Sequence, residues 1–393
     1  MKRPTLSIKN IFIYFALIIF FTLLIVIGNR YVEGDGDFFI GQDLGIERAE
    51  VTDIINVKEE AALSDTATGK NVTVLFQSRF THGDRAGETV STTQHIMESM
   101  ESHYSQVKTG DKIYIFQGVS RIDGVRWVFY EFQRFNTIII LALVFFFFLL
   151  LFGGTKGFNT IVTLALTVMS IFFVFLPSVI NGHNIYLWSI ITCVYAIVMT
   201  FLIINRFSIK NLVSILGCVG GIFVAGLMTL TLNKILMISG LIDDSAHYLT
   251  MLPNVQIDLR GVVFASIIIG AMGAVMDVAM SIASALYEVK ATGKDNVGFA
   301  QLVRSGFAIG RDMMGTMTNT LILAYIGGSM AQILLMMVHS GSLEALLNQE
   351  LIIVESLQAL IGSFGILFTI PLTTFISAFL YRELKTPQQN IIE

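Results

Sequence analysis

The sequence predicts a mainly α-helical membrane protein: a polytopic bundle of about eight spans, with both termini inside and a small extracytoplasmic β-rich domain. Three observations predict this fold class. The 393 residues are 54% hydrophobic and 14% charged, whereas an ordinary soluble domain carries about a quarter charged residues. Apolar runs of about twenty residues recur along the chain, as membrane spans require. One long polar segment, residues 28–136, separates the first run from the others.

The apolar runs are long enough to cross a hydrocarbon core of about 30 Å. No small-x-small cleavage site follows the first run, so we interpret residues 1–27 as an N-terminal signal-anchor span. Seven further spans make a membrane bundle over residues 137–385, and residues 386–393 form a cytoplasmic tail. The runs lie at 11–27, 137–152, 158–180, 185–204, 212–238, 261–286, 315–338 and 351–380.

The positions of Lys and Arg predict the orientation of the spans. With the N-terminus inside, the short outer loops contain Arg260 alone among these residue types. This asymmetry satisfies the positive-inside rule and places both termini in the cytoplasm. The cytoplasmic segments contain Lys2, Arg3, Lys9, Lys156, Arg206, Lys210, Lys290, Lys294, Arg304, Arg311, Arg382 and Lys385.

The polar segment 28–136 is long enough to cross the membrane regardless of its charge. Residues 72–76, 112–116 and 125–130 are rich in β-branched and aromatic residues, which favours strands. Turn-forming residues separate these strands, and residues 92–105 are compatible with a short helix. We therefore expect a small extracytoplasmic β-rich domain, a barrel.

Several functional classes lack support in the sequence. The net charge is -4 and no basic tract is present, so nothing favours nucleic-acid binding. The two cysteines, Cys193 and Cys218, lie in apolar runs without the spacing of metal ligands. Walker, HExxH and serine-nucleophile motifs are absent from the sequence. We therefore predict no enzymatic activity, no cofactor and no metal site.

Asp277 is the most informative residue, because it lies in the sixth apolar run. A carboxylate at the centre of a span costs about 2.5–3.5 kcal/mol on insertion scales and usually faces a bundle interior or an aqueous cavity. Thr316 and Asn319, in the next run, enter from the same side at a similar depth. One interpretation is an ion- or substrate-binding site that joins these three residues. The alternative is a structural hydrogen bond between two helices, worth under about 1–2 kcal/mol.

Arg304, Arg311 and Asp312 precede the seventh run. Two arginines seven residues apart occupy the same face of a helix. They would suit an anion or headgroup site, or a gate that pairs with Asp277 or Glu288, and we include all three residues in the candidate site. An equally good interpretation is an interfacial helix whose arginines extend towards the headgroups.

Two segments resemble the signature of the YibE/F family of bacterial multi-pass membrane proteins. They are GAMGAVMDVAMSI, residues 270–282, and GRDMMGTMTNTLILAY, residues 310–325. The resemblance extends from about residue 137, and the added first span and outer domain are similar to the longer, YibE-like members. It implies a bacterial cell membrane location and suggests a hetero-oligomer with a shorter YibE/F-family relative. It implies no reaction and no catalytic residue.

Two functional hypotheses follow. The first is a transport-related protein that moves a small solute or ion, with an intramembrane polar site around Asp277. The second is a non-transporting membrane scaffold or sensor whose outer β-domain binds an envelope partner. The lipid bilayer is the surrounding partner in both.

Overall fold

A computed structural model describes residues 8–32, 45–61, 70–97, 105–120, 124–205, 207–251, 256–293 and 297–382. The chain divides into two compact units. One combines residues Met1–Gly36 with Leu150–Glu393 and is helical, and the other, Asp37–Leu149, contains all the described strands. Each unit is described by itself.

The second unit is a closed barrel of five strands: β1 (Glu47–Ala61), β2 (Lys70–Phe80), β3 (Thr89–Met97), β4 (Lys112–Ser120) and β5 (Gly124–Phe132). Their order around the barrel is β1-β2-β3-β5-β4, and β4 pairs with β1 to close it. The pairs are antiparallel except β3 with β5, which run parallel through Thr92 and Trp127. A five-stranded Greek-key barrel with this parallel pair has the strand order of an OB-fold.

Alternating side chains fill the barrel, as the two-residue period of a strand requires. Val74, Phe76, Ile113 and Ile115 are completely buried. At the β2–β3 turn, the Arg85 guanidinium lies 4.8 Å from the ring centre of Phe80 and 5.2 Å from that of Trp127. The predicted β-rich barrel is therefore confirmed.

One local prediction about the barrel is wrong. Residues 92–97, predicted to begin a short helix, belong instead to strand β3. The segment Thr89–Met97 is rich in threonine and other β-branched residues, and it pairs with β2 along its whole length. Such residues favour a strand once a partner strand is available. Residues 98–104 of the predicted helix lie outside the described residues.

The helical unit contains helix α1 and the chain that follows the barrel. Its elements are α1 (Ile8–Val32), α2 (Phe135–Ser170, which begins in the other unit), a π-helical turn (Ile171–Phe175), α3 (Leu176–Ile180), α4 (Ile185–Asn205), α5 (Ile209–Ile235), α6 (Asp244–Thr250), α7 (Leu259–Gly293), α8 (Phe299–Gly328), α9 (Met330–His339), α10 (Leu343–Leu347) and α11 (Glu350–Tyr381).

Six helices of the described residues are long and apolar enough to cross a membrane, or seven if the bent pair α8–α9 is one span. The second and third runs in the sequence lie on one helical stretch, Phe135–Ile180, in which Gly154 has non-helical backbone angles (φ 54, ψ −128). The seventh run lies across the 61° bend between α8 and α9. The count of eight therefore depends on whether Gly154 separates two spans.

Helix α7 is central, because α4, α5, α8 and α11 all pack against it. The small-residue ladder Gly217, Gly221 and Ala225 of α5 is buried, and its two glycines face Thr373 and Thr369 of α11. Helices that meet through small residues approach closely, and dispersion contacts then hold them together in a lipid environment. These small residues therefore allow α5 and α11 to pack closely.

Candidate functional site

Helix α7 leaves a single stripe of its surface uncovered between Ser266 and Glu288. The exposed residues of this stripe recur every three or four positions, except for one gap of seven. They therefore lie within about 80° of the helix circumference. We call these residues the α7 stripe: Ser266, Gly270, Gly273, Asp277, Ser281 and Glu288. No large apolar side chain belongs to it. The neighbouring faces are apolar, with Ile267, Ile268, Val275, Val278 and Ile282 buried.

Asp277 lies near the middle of α7, about 24 Å from the Gly293 end at 1.5 Å per residue. Its side chain is exposed on the surface of the single chain. In the described part of the chain, no hydrogen bond or salt bridge involves its carboxylate. The sequence predicts that Asp277 faces protein or a cavity, whereas its side chain is exposed in the single chain. It is exposed because four helices pack on the other faces of α7 and leave this stripe uncovered.

Helix α8 is amphipathic along its first half. Leu302, Gly306 and Gly310 are its buried residues, and the glycines lie against Thr374 and Ile370 of α11. The exposed surface of α8 extends from the side opposite these glycines to the flank that contains Thr316. It carries all the remaining predicted site residues, Arg304, Arg311, Asp312, Thr316 and Asn319.

The exposed side of α8 has two parts. Arg304, Ala308, Arg311 and Gly315 lie within about 60° of one another, and we call them the α8 arginine face. Asp312 and Thr316 lie about 100° further round the same helix. The arginines thus share one face, as their spacing predicts. Asn319 lies next to that face rather than with Thr316.

The heights of these residues along α8 follow from the helical rise, counted from Phe299. Thr316 is about 26 Å up the helix, close to the height of Asp277 on α7. Arg311 and Asp312 are at about 18–20 Å, and Asn319 at about 30 Å. Arg304, at about 8 Å, is well below the others.

The polar groups of α7 and α8 make local bonds instead of bonds to each other. The Thr316 hydroxyl donates to the Met313 carbonyl at 3.0 Å, and the Thr320 hydroxyl donates to the Thr316 carbonyl at 2.9 Å. Hydroxyls on helices commonly bond to their own preceding turn in this way. Among the described residues, no hydrogen bond or salt bridge joins Asp277 to the other five candidates. The six-residue site therefore stays a prediction.

A groove of about 490 Å³ lies between α8 and α11. Gly315, Thr318, Asn319 and Ser363 provide its polar edge, and its other residues are apolar: Met314, Ile322, Leu360, Phe364 and Leu367. Asn319 therefore lies in a groove that Asp277 does not line. A volume in this range is typical of small-molecule sites.

A second groove, of about 290 Å³, adjoins the first, because Ile322 and Leu360 line both. It contains Tyr325 of α8 and Glu355 of α11. The Tyr325 hydroxyl is buried without a hydrogen-bond partner in the described structure, and it lies beside Gly270 of the α7 stripe.

The site predicted from the sequence does not include Glu355, Tyr325 or Ser363. One signal was available: Glu355 and Ser363 are eight residues apart, so they share a face of α11. The contact of that face with α8 could not be read from the spacing. The two grooves extend the candidate polar region from Asn319 to Glu355.

Comparisons with known proteins bear on the family alone. Searches of curated proteins and of solved structures found no match. A family model described as YibE/F-like protein matches residues 141–383, which include α7, α8 and α11. The matched region is more than half of the chain and contains both signature segments. The chain therefore belongs to the YibE/F-like protein family.

Proposed function

We propose that the protein is transport-related and moves a small solute or an ion, with Asp277 as the charged group of an intramembrane polar site. The observation that carries this proposal is the exposed carboxylate at the middle of the central helix, on a stripe without large apolar side chains. Ionisable residues within membrane spans usually mark ion or substrate pathways.

The other candidates have roles that suit their heights on α8. Thr316 is level with Asp277 and offers a hydroxyl, and Arg311 and Asp312 are about one turn nearer the Phe299 end. Asn319 contributes an amide to the groove beside α11. Arg304 attracts anionic solutes or lipid headgroups near the end of the helix. A purely structural role for Asp277 predicts no effect of its charge on flux.

Reconstitution into liposomes tests the proposal. The probes are a pH-sensitive dye for protons and ion-sensitive dyes for Na⁺ and K⁺, each under an imposed gradient. We expect Asp277→Asn to abolish the flux seen with the unaltered chain, and Asp277→Glu to retain part of it. Asp53→Asn, which removes an exposed carboxylate of the barrel, is the control. Undiminished flux through Asp277→Asn would contradict the proposed site.

We also propose that the chain lies in the bacterial cell membrane with both termini inside and residues 28–136 extracytoplasmic. The distribution of Lys and Arg supports this orientation. Asp84→Cys, in the exposed β2–β3 turn, should react with a membrane-impermeant thiol reagent in intact cells. Thr292→Cys, at the exposed end of α7, should react after permeabilisation. Cys193 and Cys218 are buried and should stay unlabelled. The reverse labelling pattern would overturn the orientation.

We further propose that the protein has no catalytic activity and assembles with a shorter family relative. The absence of catalytic motifs from the sequence supports the first statement, and the resemblance to the longer members of the family supports the second. Co-expression of both chains, with an affinity tag on this one, tests the assembly. Purification without the relative would contradict it.

The barrel favours a second candidate, a membrane scaffold or sensor. Its strand order is that of the OB-fold, a barrel that commonly binds oligomeric ligands on its surface. Deletion of residues 32–134 discriminates between the two functions. A transporter should retain residual flux without the barrel, whereas a scaffold or sensor should lose its cellular role completely.

A further inference from the structure

The α7 stripe and the α8 arginine face carry opposite charges on neighbouring helices. Asp277 and Glu288 are the charged residues of the first surface, and Arg304 and Arg311 those of the second. All four side chains are exposed, and none belongs to a salt bridge between described residues. Arg304, Ala308 and Arg311 lie opposite the two glycines of α8 that pack on α11, and Gly315, further along the same face, borders the groove with α11. Each surface therefore offers unpaired charge to a neighbour.

An unpaired carboxylate in the middle of a span, such as that of Asp277, is costly in lipid. An aspartate at the centre of a span costs about 2.5–3.5 kcal/mol on insertion scales, and such groups usually pair with an opposite charge. A second protein surface that brings the opposite charge removes this cost. The small residues of the two surfaces, Gly273 on one and Ala308 and Gly315 on the other, permit close helix approach.

The opposite charges also occur at similar heights. Glu288 and Arg304 each lie about 8 Å from the end of their helix at the α7–α8 connection. Asp277 lies about 24 Å from that end and Arg311 about 18 Å, a difference that a long arginine side chain spans. Two copies that stand side by side in one membrane have these levels aligned.

We propose that two copies of this chain associate through α7 and α8, with Asp277 of each copy paired to Arg311 of the other. A twofold axis makes the contact reciprocal, so each pair occurs twice. Glu288 and Arg304 form a second level of pairs nearer the helix ends. The occupant of the α7 stripe is thus the arginine face of a second copy. Because the pair uses Asp277 and Arg311 of the proposed transport site, the dimer and the flux are measured separately.

Cysteine cross-linking tests the contact directly. Gly273 and Gly315 are suitable positions, because a Cβ atom at either would meet nothing within 4 Å in the chain. Gly273 is one helical turn from Asp277, and Gly315 is one helical turn from Arg311. The two glycines therefore differ in height along their helices by the same amount as Asp277 and Arg311. The background is Cys193→Ala with Cys218→Ala, which removes the two native thiols.

Differently tagged Gly273→Cys and Gly315→Cys chains are co-expressed and treated in native membranes with a membrane-permeable bifunctional maleimide, because a direct disulfide does not span their axial offset of about 6 Å together with the distance between the helices. We expect a cross-linked dimer that carries both tags. The control pairs Gly315→Cys with Phe223→Cys, a highly exposed position on α5, and should give no such dimer. Absence of the Gly273–Gly315 product, or equal cross-linking in the control pair, would overturn the proposal.

Charge reversal provides a second measurement of the dimer that does not depend on cross-linking. Asp277→Arg alone and Arg311→Asp alone should each lose most of the dimer measured by size-exclusion chromatography with light scattering. The double variant Asp277→Arg/Arg311→Asp should recover it. A failure of the double variant to recover, although it purifies as a folded monomer, would contradict the pairing. Dimers that form only with a shorter relative present would identify a different partner and reject self-association.

Two measurements distinguish the dimer from the proposed function. The flux of Asp277→Asn and the Gly273–Gly315 cross-linking are measured on the same protein preparations. If Arg311→Lys loses its flux but still cross-links, the dimer is supported. If the chain is strictly monomeric and its flux is intact, the dimer alone is rejected.

Discussion

Thr369 of α11 lies against Gly221 of α5 so closely that a Cβ atom at residue 221 would overlap its hydroxyl oxygen. The Gly365 carbonyl oxygen would be 3.2 Å from the same Cβ. The Thr369 hydroxyl donates to that carbonyl at 2.7 Å, so it is held in place and cannot easily move aside. The absence of a side chain at residue 221 thus sets the distance between two helices of the bundle.

Replacement of this glycine should destabilise the helical unit. We expect Gly221→Val to lower stability by about 1–3 kcal/mol, because an overpacked core must separate helices or distort rotamers. The thermal midpoint of the purified protein in detergent measures the effect. Gly327→Ala is the control, since a Cβ there meets nothing within 4 Å. Equal midpoints for both variants would contradict the close contact.

The barrel core contains a buried pair of hydroxyls. Ser78 and Thr92 are completely buried, and their oxygens are 2.5 Å apart. We expect Thr92→Val to cost about 1–3 kcal/mol, because it leaves the Ser78 hydroxyl poorly satisfied. Adding Ser78→Ala should recover part of the loss. Hydrogen exchange of the barrel strands in the full chain measures the stability of each variant. If the losses caused by Thr92→Val and Ser78→Ala simply add in the double variant, the two hydroxyls are not coupled.

The side chain of Gln94 forms hydrogen bonds with the backbone of the segment that precedes β4. Its side chain is 1% exposed, donates to the Ser105 carbonyl at 3.2 Å and accepts from the Val107 amide at 3.1 Å. Gln94→Leu should leave both backbone groups without these partners and cost about 1–3 kcal/mol. We expect faster hydrogen exchange at Val107 than in the unaltered chain. Gln117→Leu, an exposed position on β4, should leave that rate unchanged.

Glu350 joins the start of α11 to the turn that follows α5. Its carboxylate accepts from the Ser239 and Gly240 amides at 2.8 and 2.7 Å and from the Ser239 hydroxyl. Glu350→Gln should weaken these bonds by about 1.5–3 kcal/mol, because bonds to a charged acceptor are the stronger ones. Increased proteolysis between Leu236 and Met251 is the expected result. Glu344→Gln, an exposed change on α10, should not increase it.

Much of the fold followed from composition and periodicity, and the errors have specific causes. Long apolar runs and β-branched segments correctly indicated the long apolar helices and the barrel, because each is a local property of the chain. Residues 92–105 are compatible with a short helix in the sequence, but residues 92–97 form part of strand β3 because they pair with β2. The break at Gly154 and the bend at Ser329 depend on backbone angles that hydropathy does not report.

Some features of the candidate site follow from the sequence alone, and others depend on the tertiary structure. The sequence by itself determined that an acid lies within a long apolar run. It also determined that two arginines share one face of the next helix, because helical periodicity fixes that relation. The tertiary structure decided that the Asp277 stripe is uncovered, that Asn319 lines a groove with α11, and that Glu355 and Tyr325 adjoin it. Which face of a helix is buried depends on the neighbours that pack against it, and those contacts join residues that are distant in the chain.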